Sequence, residues 1–114
     1  MILSRNKWIC GFPSINTKDG TFLGKGNTEL LNKEGYMDVL GFICKDMGIK
    51  LTTGKIWPSD LKSKKTEGLL TKGGEDNKFA HMLSNLNDSC MPNSEREERI
   101  IEVCRYNNLE VKFE

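Results

Sequence analysis

The sequence predicts an α+β domain of three to four short helices around a central apolar helix at about 37–47, with a small antiparallel sheet that includes a C-terminal strand at 109–113. Three observations carry this. The stretch Gly35–Gly48 (GYMDVLGFICKDMG) is the most apolar in the chain. Within it Met37, Leu40, Cys44 and Met47 recur at helical spacing, and Val39, Phe42 and Ile43 widen the stripe, as in a buried helix. Further on, Phe79, Met82, Leu83 and Leu86 fall on one face of an amphipathic helix over 77–86. At the C-terminus Leu109, Val111 and Phe113 alternate with Glu110, Lys112 and Glu114, the period of a half-buried strand.

Taken in order, Ser4 caps a short helix through Lys7, Trp8 and Phe12, and Pro13 ends it or begins a new turn. Trp8, Ile9 and Phe12 are core candidates. Lys18-Asp19-Gly20-Thr21 is a turn signal, followed by Phe22 and Leu23. Thr28–Leu31 reads as a short strand or extended piece, and Asn32–Gly35 as a turn. Asp38 places a negative charge at the start of the apolar helix, where it suits the helix dipole, and Gly48 is placed to stop it in a left-handed conformation. A glycine inside a helix costs about 1 kcal/mol relative to alanine, so Gly41 implies another backbone crossing close by. Thr52-Thr53-Gly54 is a turn. Ile56–Leu61 is a loop feeding a short helix capped by Ser59 or Asp60, with Trp57 as a core plug. Gly68 and Gly73-Gly74 bracket a loop expected to be mobile.

The second half is more regular. Asp76 is the expected N-cap of the helix at 77–86, and Asn87-Asp88-Ser89 its end. Ser94-Glu95-Arg96-Glu97 has the form of a capping box, in which the serine bonds the third amide and Glu97 reaches back. Ile100, Ile101, Val103 and Cys104 supply the buried face of the last helix, and Asn107-Asn108 closes it. The terminal strand needs a partner for its backbone groups: the Phe22–Leu31 region or a second copy of the chain, which makes a homodimer one expected form.

At 114 residues the chain is expected to be a single domain, 1–114. Lysine and arginine (17) nearly balance aspartate and glutamate (16), which argues against the net basic footprint of a general nucleic-acid binder. The two helices either side of 87–93 are joined by too long a connection for a helix-turn-helix. The second opens Glu95-Arg96-Glu97-Glu98, acidic where it would meet DNA, so no direct DNA contact is expected. No apolar run approaches a membrane span, and the start MILSRNKWICGF is too short and polar for a signal peptide; the expected compartment is the cytoplasm. Cys10, Cys44, Cys90 and Cys104 show no paired spacing and read as free thiols. With one histidine they make no expected zinc site.

Binding candidates are Gly24, Lys25, Gly26 and Asn27, a glycine-flanked lysine able to offer amides and charge to a phosphate, together with Trp57 and the lysines Lys62, Lys64 and Lys65. The lysine run is either a solvated face or a contact for an acidic partner. Tyr36 and Trp57 are available for stacking. Cys44, His81 and Asp88 have the residue types of nucleophile, base and orienter, but Cys44 lies on an apolar stripe. No catalytic residue and no cofactor are assigned.

The order of parts, a glycine turn before Leu30, then GYMDVLGFIC, then Leu86-Asn87-Asp88 and Ser94, resembles a family of small phage and prophage proteins with a CCLGVLC-like helix and a downstream LND motif. Leu40-Gly41 and Cys44 fall on the LG and final C of that pattern, while its paired cysteines fall on Asp38 and Val39 here. The resemblance implies a phage or mobile-element accessory gene acting in a bacterial host cytoplasm. The resemblance carries no function with it; the leading expectation rests on the lack of a catalytic constellation, the small size, the charged segments Lys62–Lys65 and Glu95–Arg99 and the terminal strand, and is a non-enzyme that binds a host protein, including a defence component it inhibits. The alternative is a binder that sequesters a nucleotide-like signal, and the third is a thiol enzyme.

Overall fold

Helix α1 runs from Val39 to Asp46 in the computed structural model of the chain, which describes residues 1–11, 28–114 and the backbone of 21–22. Asp38 stands at its start, and its Oδ1 accepts the Gly41 N–H at 2.8 Å, a side-chain N-cap. At the other end Gly48 has φ +82°, its N–H donates to Lys45 O at 2.9 Å, and Ile49 N–H donates to Cys44 O at 3.1 Å. Those two bonds form a Schellman stop, completed by a buried apolar residue, Ile49. Val39 to Cys44 are all buried. The backbone that needs the space at Gly41 is that of Leu30, whose carbonyl oxygen would lie 1.9 Å from a Cβ at position 41.

Helix α2, Lys78–Asp88, packs against α1 and against α3, Asn93–Tyr106. Phe79 and Leu83 are buried as the periodicity requires, whereas Met82 stays exposed and Leu86 half-buried. The N-cap of α2 is Asn77, whose Oδ1 accepts Ala80 N–H at 2.9 Å. Asp76, expected there, instead accepts the Ser59 N–H (2.9 Å) and hydroxyl (2.6 Å). The capping box at Ser94 does not form. Pro92 precedes the first residue of α3, Ser94 lies inside the first turn, and Glu97 turns away to a two-bond pair with Arg5 at 2.7 and 2.8 Å. The far end of α3 is a second Schellman stop: Asn108 takes φ +61°, its N–H meets Arg105 O, and Leu109 N–H meets Cys104 O.

The sheets are small. The described C-terminal strand β6 is Lys112–Phe113, shorter than the expected 109–113. It pairs in parallel with β1, Ile2–Leu3, rather than antiparallel with the Phe22–Leu31 region. Alternation fixed which face of the segment is buried, but direction and partner depend on distant residues: Met1 O, Leu3 O and Arg5 N–H supply the ladder. β2, Ile9–Cys10, runs parallel to β3, Thr21–Phe22. The antiparallel pair among the described residues is β4, Thr71–Lys72, with β5, Glu75–Asp76. Gly73 and Gly74 form its two-residue turn, both at positive φ, as a hairpin of this twist demands. The segment expected to be a mobile loop is thus a hairpin whose base, Leu70 and Thr71, is buried.

The 28–31 segment is irregular rather than a strand, anchored by Leu30 N–H to Lys55 O at 2.8 Å. The turn at Asn32 is as expected, with the Asn32 carbonyl oxygen of the side chain accepting the amides of Glu34 and Tyr36. Ser4 precedes only a single 3-10 turn, Arg5–Lys7, without a side-chain cap. Trp8 and Ile9 are core residues; the Trp8 ring lies 5.0 Å from that of Phe113, joining the two ends of the chain.

Candidate functional site

Gly24, Lys25, Gly26 and Asn27, with Phe12, lie outside the described residues. The other sequence candidates divide. Lys62, held at φ +53°, and Lys64 line an open cleft of about 500 Å³ with Ser59, Ser63, Thr66, Glu67 and Thr71. Lys65 belongs elsewhere: its Nζ donates to Gly48 O at 3.1 Å, at the negative end of α1. Trp57 is half-buried, and its ring is tilted against the His81 imidazole at 4.7 Å. Asp60 accepts the Trp57 N–H at 3.0 Å and closes the 3-10 turn Pro58–Leu61. The cleft mixes charges. The Glu67 carboxylate accepts the Gly73 N–H and the Thr71 hydroxyl, which hold it below the usual carboxylate range.

The thiol set is not assembled. Cys44 is fully buried, and burial pushes its thiol up to about 12, so it is protonated and inert at neutral pH. Cys10 and Cys104 are pushed up to about 12 for the same leading reason. His81 is exposed and engaged by Trp57, and Asp88 is bonded to Thr28.

Two sites that periodicity does not reveal stand out. The first is a buried polar junction on Asn87, which is fully buried inside α2 rather than acting as its left-handed cap. Its Oδ1 accepts the Trp8 indole N–H at 2.7 Å and the Val39 N–H at 3.0 Å. Its Nδ2 donates to Ile9 O at 3.0 Å and lies near Thr28 Oγ1 and Asp88 Oδ1. One amide thus ties β2, α1, α2 and the 28–30 segment together. Beside it Arg96 is fully buried and donates to the carbonyls of Leu86 (2.9 Å) and Asn87 (2.7 Å). The last carbonyls of a helix lack intrahelical donors, and α2 has no glycine stop; a cation from α3 satisfies them.

The second site is on the outside. Along the seam of α2 and α3 runs an open groove of about 420 Å³ floored by Phe79, Met82 and Val103 and flanked by Tyr106, Lys78 and Glu102. Tyr106 is 90% exposed and Met82 41%. The groove continues past Met82 and Val103 to Leu86 and Arg99. Tyrosine and methionine are side chains enriched at protein–protein interfaces.

Among the described residues no helix is long and apolar enough to cross a membrane. Comparisons of the chain with protein-family models, with curated proteins and with solved structures gave no match.

Proposed function

We propose that the chain is a phage or mobile-element accessory protein that acts in a bacterial host cytoplasm by non-enzymatic binding of a host protein, including a defence component that it inhibits. The observation that supports binding is the α2–α3 groove, where Tyr106 stands almost wholly in solvent beside the apolar floor of Phe79, Met82 and Val103. Binding energy at such surfaces concentrates in a few aromatic anchors. Tyr106→Ala is expected to cost about 2 kcal/mol of affinity, roughly thirtyfold, with stability within about 0.5 kcal/mol of the parent because the side chain is exposed. Quantitative affinity capture from bacterial lysate, comparing the parent with Tyr106→Ala and Tyr106→Glu, tests this. A protein enriched by the parent and lost with both variants supports it; equal retention by all three overturns it.

A second reading rests on a different observation. Lys62 and Lys64 share one cleft with the hydroxyl-bearing Ser59, Ser63, Thr66 and Thr71, a set able to receive a phosphate of a nucleotide-like small molecule. In that reading the purified protein carries a few hundred daltons of extra mass under native conditions, lost on denaturation and absent in the Lys62→Ala, Lys64→Ala double variant. Identical native and denatured masses, together with no nucleotide affinity in titration, remove the site.

A further inference from the structure

The polar junction poses a question of proton number. Thr28 Oγ1 lies 3.1 Å from Asp38 Oδ2, 2.9 Å from Asp88 Oδ1 and 3.2 Å from Asn87 Nδ2. A hydroxyl carries one proton and two lone pairs. The Asn87 amide has two protons, one held by Ile9 O and the other shared between Thr28 Oγ1 and Asp88 Oδ1, and the hydroxyl's own proton serves one carboxylate. With both carboxyls ionised, the remaining carboxylate oxygen would face an oxygen lone pair at hydrogen-bond distance in a buried site. The three contacts close only if one carboxyl oxygen carries a proton.

The two carboxyls are not equivalent. Asp88 is half-buried, and its oxygens accept the Thr28 N–H (3.2 Å) and the Asn87 amide (2.9 Å) besides the hydroxyl. Asp38 is 4% exposed, which makes it the costlier place for a charge; its Oδ1 accepts the Gly41 N–H, a bond a neutral carboxyl keeps through its carbonyl oxygen, and the Leu40 N–H also faces it. We infer that Asp38 is held as a neutral carboxylic acid at neutral pH, its Oδ2–H donating to Thr28 Oγ1 while the Thr28 hydroxyl donates to the Asp88 carboxylate, so that one proton latches the 28–30 segment to the start of α1 and the end of α2.

The surroundings agree. Burial pushes Asp38 well above the usual carboxylate range, and the Asp88 charge pushes the same way, against the Gly41 amide, the Thr28 hydroxyl and the Leu40 amide. Among the described residues, the ionisable groups about the junction include Asp88 from α2, the thiols of Cys10 in β2 and Cys44 in α1, Arg96 and Glu97 from α3, and Asp76 in β5, which acts on Cys44. Arg96 gives its protons to the carbonyls of Leu86, Asn87 and Met91 and to the Asn93 side chain, and Glu97 is bonded to Arg5. None of these bonds of the Arg96 cation goes to Asp38.

The sign of the pH effect follows. Unfolded, Asp38 titrates at about 4; folded, it titrates higher, so folding takes up a proton between the two values. The stabilisation is complete below about 4 and is lost as pH rises through the folded value, tenfold in the unfolding constant per pH unit. Asp38→Asn isolates this one proton, because the amide keeps the acceptor for Gly41 N–H and adds a permanent donor toward Thr28 Oγ1. Urea unfolding of parent and Asp38→Asn at pH 5, 6 and 7 is expected to show the variant's advantage growing about tenfold per unit. The Cγ resonance of Asp38 in parent protein carrying ¹³C-aspartate is expected to stay at the neutral-acid position at pH 6. An Asp38 Cγ midpoint near 4 overturns the inference, and so does a parent-to-variant stability ratio that is flat with pH. The resonance decides the matter on the parent alone if the variant does not fold.

Discussion

Gly41→Ala should lower stability by at least about 3 kcal/mol, in urea unfolding followed by tryptophan fluorescence, although the same change on an exposed helix gains about 1 kcal/mol. The sign is decided by what the new methyl meets. Its ideal position is 1.9 Å from the Leu30 carbonyl oxygen and 2.8 Å from the carbonyl carbon, backbone atoms that cannot rotate away. Either α1 retreats from Leu30, opening a gap around Leu40 and Ile43, or the 28–30 segment moves and strains the Leu30 N–H bond to Lys55 O. Leu30 and its neighbours on α1 are fully buried, so both adjustments disturb close packing. Glu98→Ala, on the exposed side of α3, serves as the reference and should change stability by less than about 0.5 kcal/mol. A Gly41→Ala protein as stable as its parent would show that the crossing is looser than described.

Asn87→Ala should cost about 4 kcal/mol. The substitution removes a side chain that satisfies three buried partners at once, the Trp8 indole N–H, the Val39 N–H and the Ile9 carbonyl. Each buried group left without a partner costs about 1–3 kcal/mol, and local relaxation keeps the total below the full sum. Asn87→Asp separates the contributions. It keeps both acceptor bonds but exchanges the donor to Ile9 O for an oxygen, and it brings a third carboxyl to the neighbourhood of Asp38 and Asp88. Its loss should be smaller in acid, where the new carboxyl is protonated, than at neutral pH. Denaturation midpoints at pH 4.5 and 7 check both variants, and a loss below about 1 kcal/mol for Asn87→Ala would contradict the role given to this residue.

These residues show what local pattern can and cannot reveal. The stops at Gly48 and Asn107-Asn108 were legible because a Schellman motif is made by neighbours in sequence; periodicity placed Phe79 and Leu83 of α2 and Ile100 and Cys104 of α3 in the core, but also Met82, which is exposed, and Leu86, Ile101 and Val103, which are half-buried. The close crossing at Gly41 was legible from the misplaced glycine itself. The partner of the C-terminal strand was not, since the alternation of Leu109, Val111 and Phe113 is the same whichever strand lies alongside. The capping box at Ser94 failed for a tertiary reason: Glu97 and Arg96 are both claimed from outside α3, by Arg5 and by the carbonyl end of α2. In Glu95-Arg96-Glu97-Glu98 a fully buried arginine looks like any surface charge. Asn87 reads as a helix-ending asparagine, and only the LND motif of the phage-protein resemblance drew notice to it. Of the lysine run, Lys62 and Lys64 share one cleft and Lys65 does not, a division that charge clustering cannot show, and Tyr106 gave no signal because nothing in sequence marks a tyrosine as exposed.

The groove and the junction are connected through α2. The face carrying Leu83 and Asn87 is held in the core, which leaves Met82 on the open side, across the seam from Val103 and Tyr106 of α3. The proposal that this open side meets a host protein is tested most directly by a photoreactive phenylalanine analogue in place of Tyr106, irradiated in bacterial cells, with the same analogue at the exposed turn residue Thr53 as the comparison. The account predicts a discrete protein adduct from position 106, absent from position 53 and outcompeted by unlabelled parent protein. No adduct from position 106, or the same adducts from both positions, would contradict it.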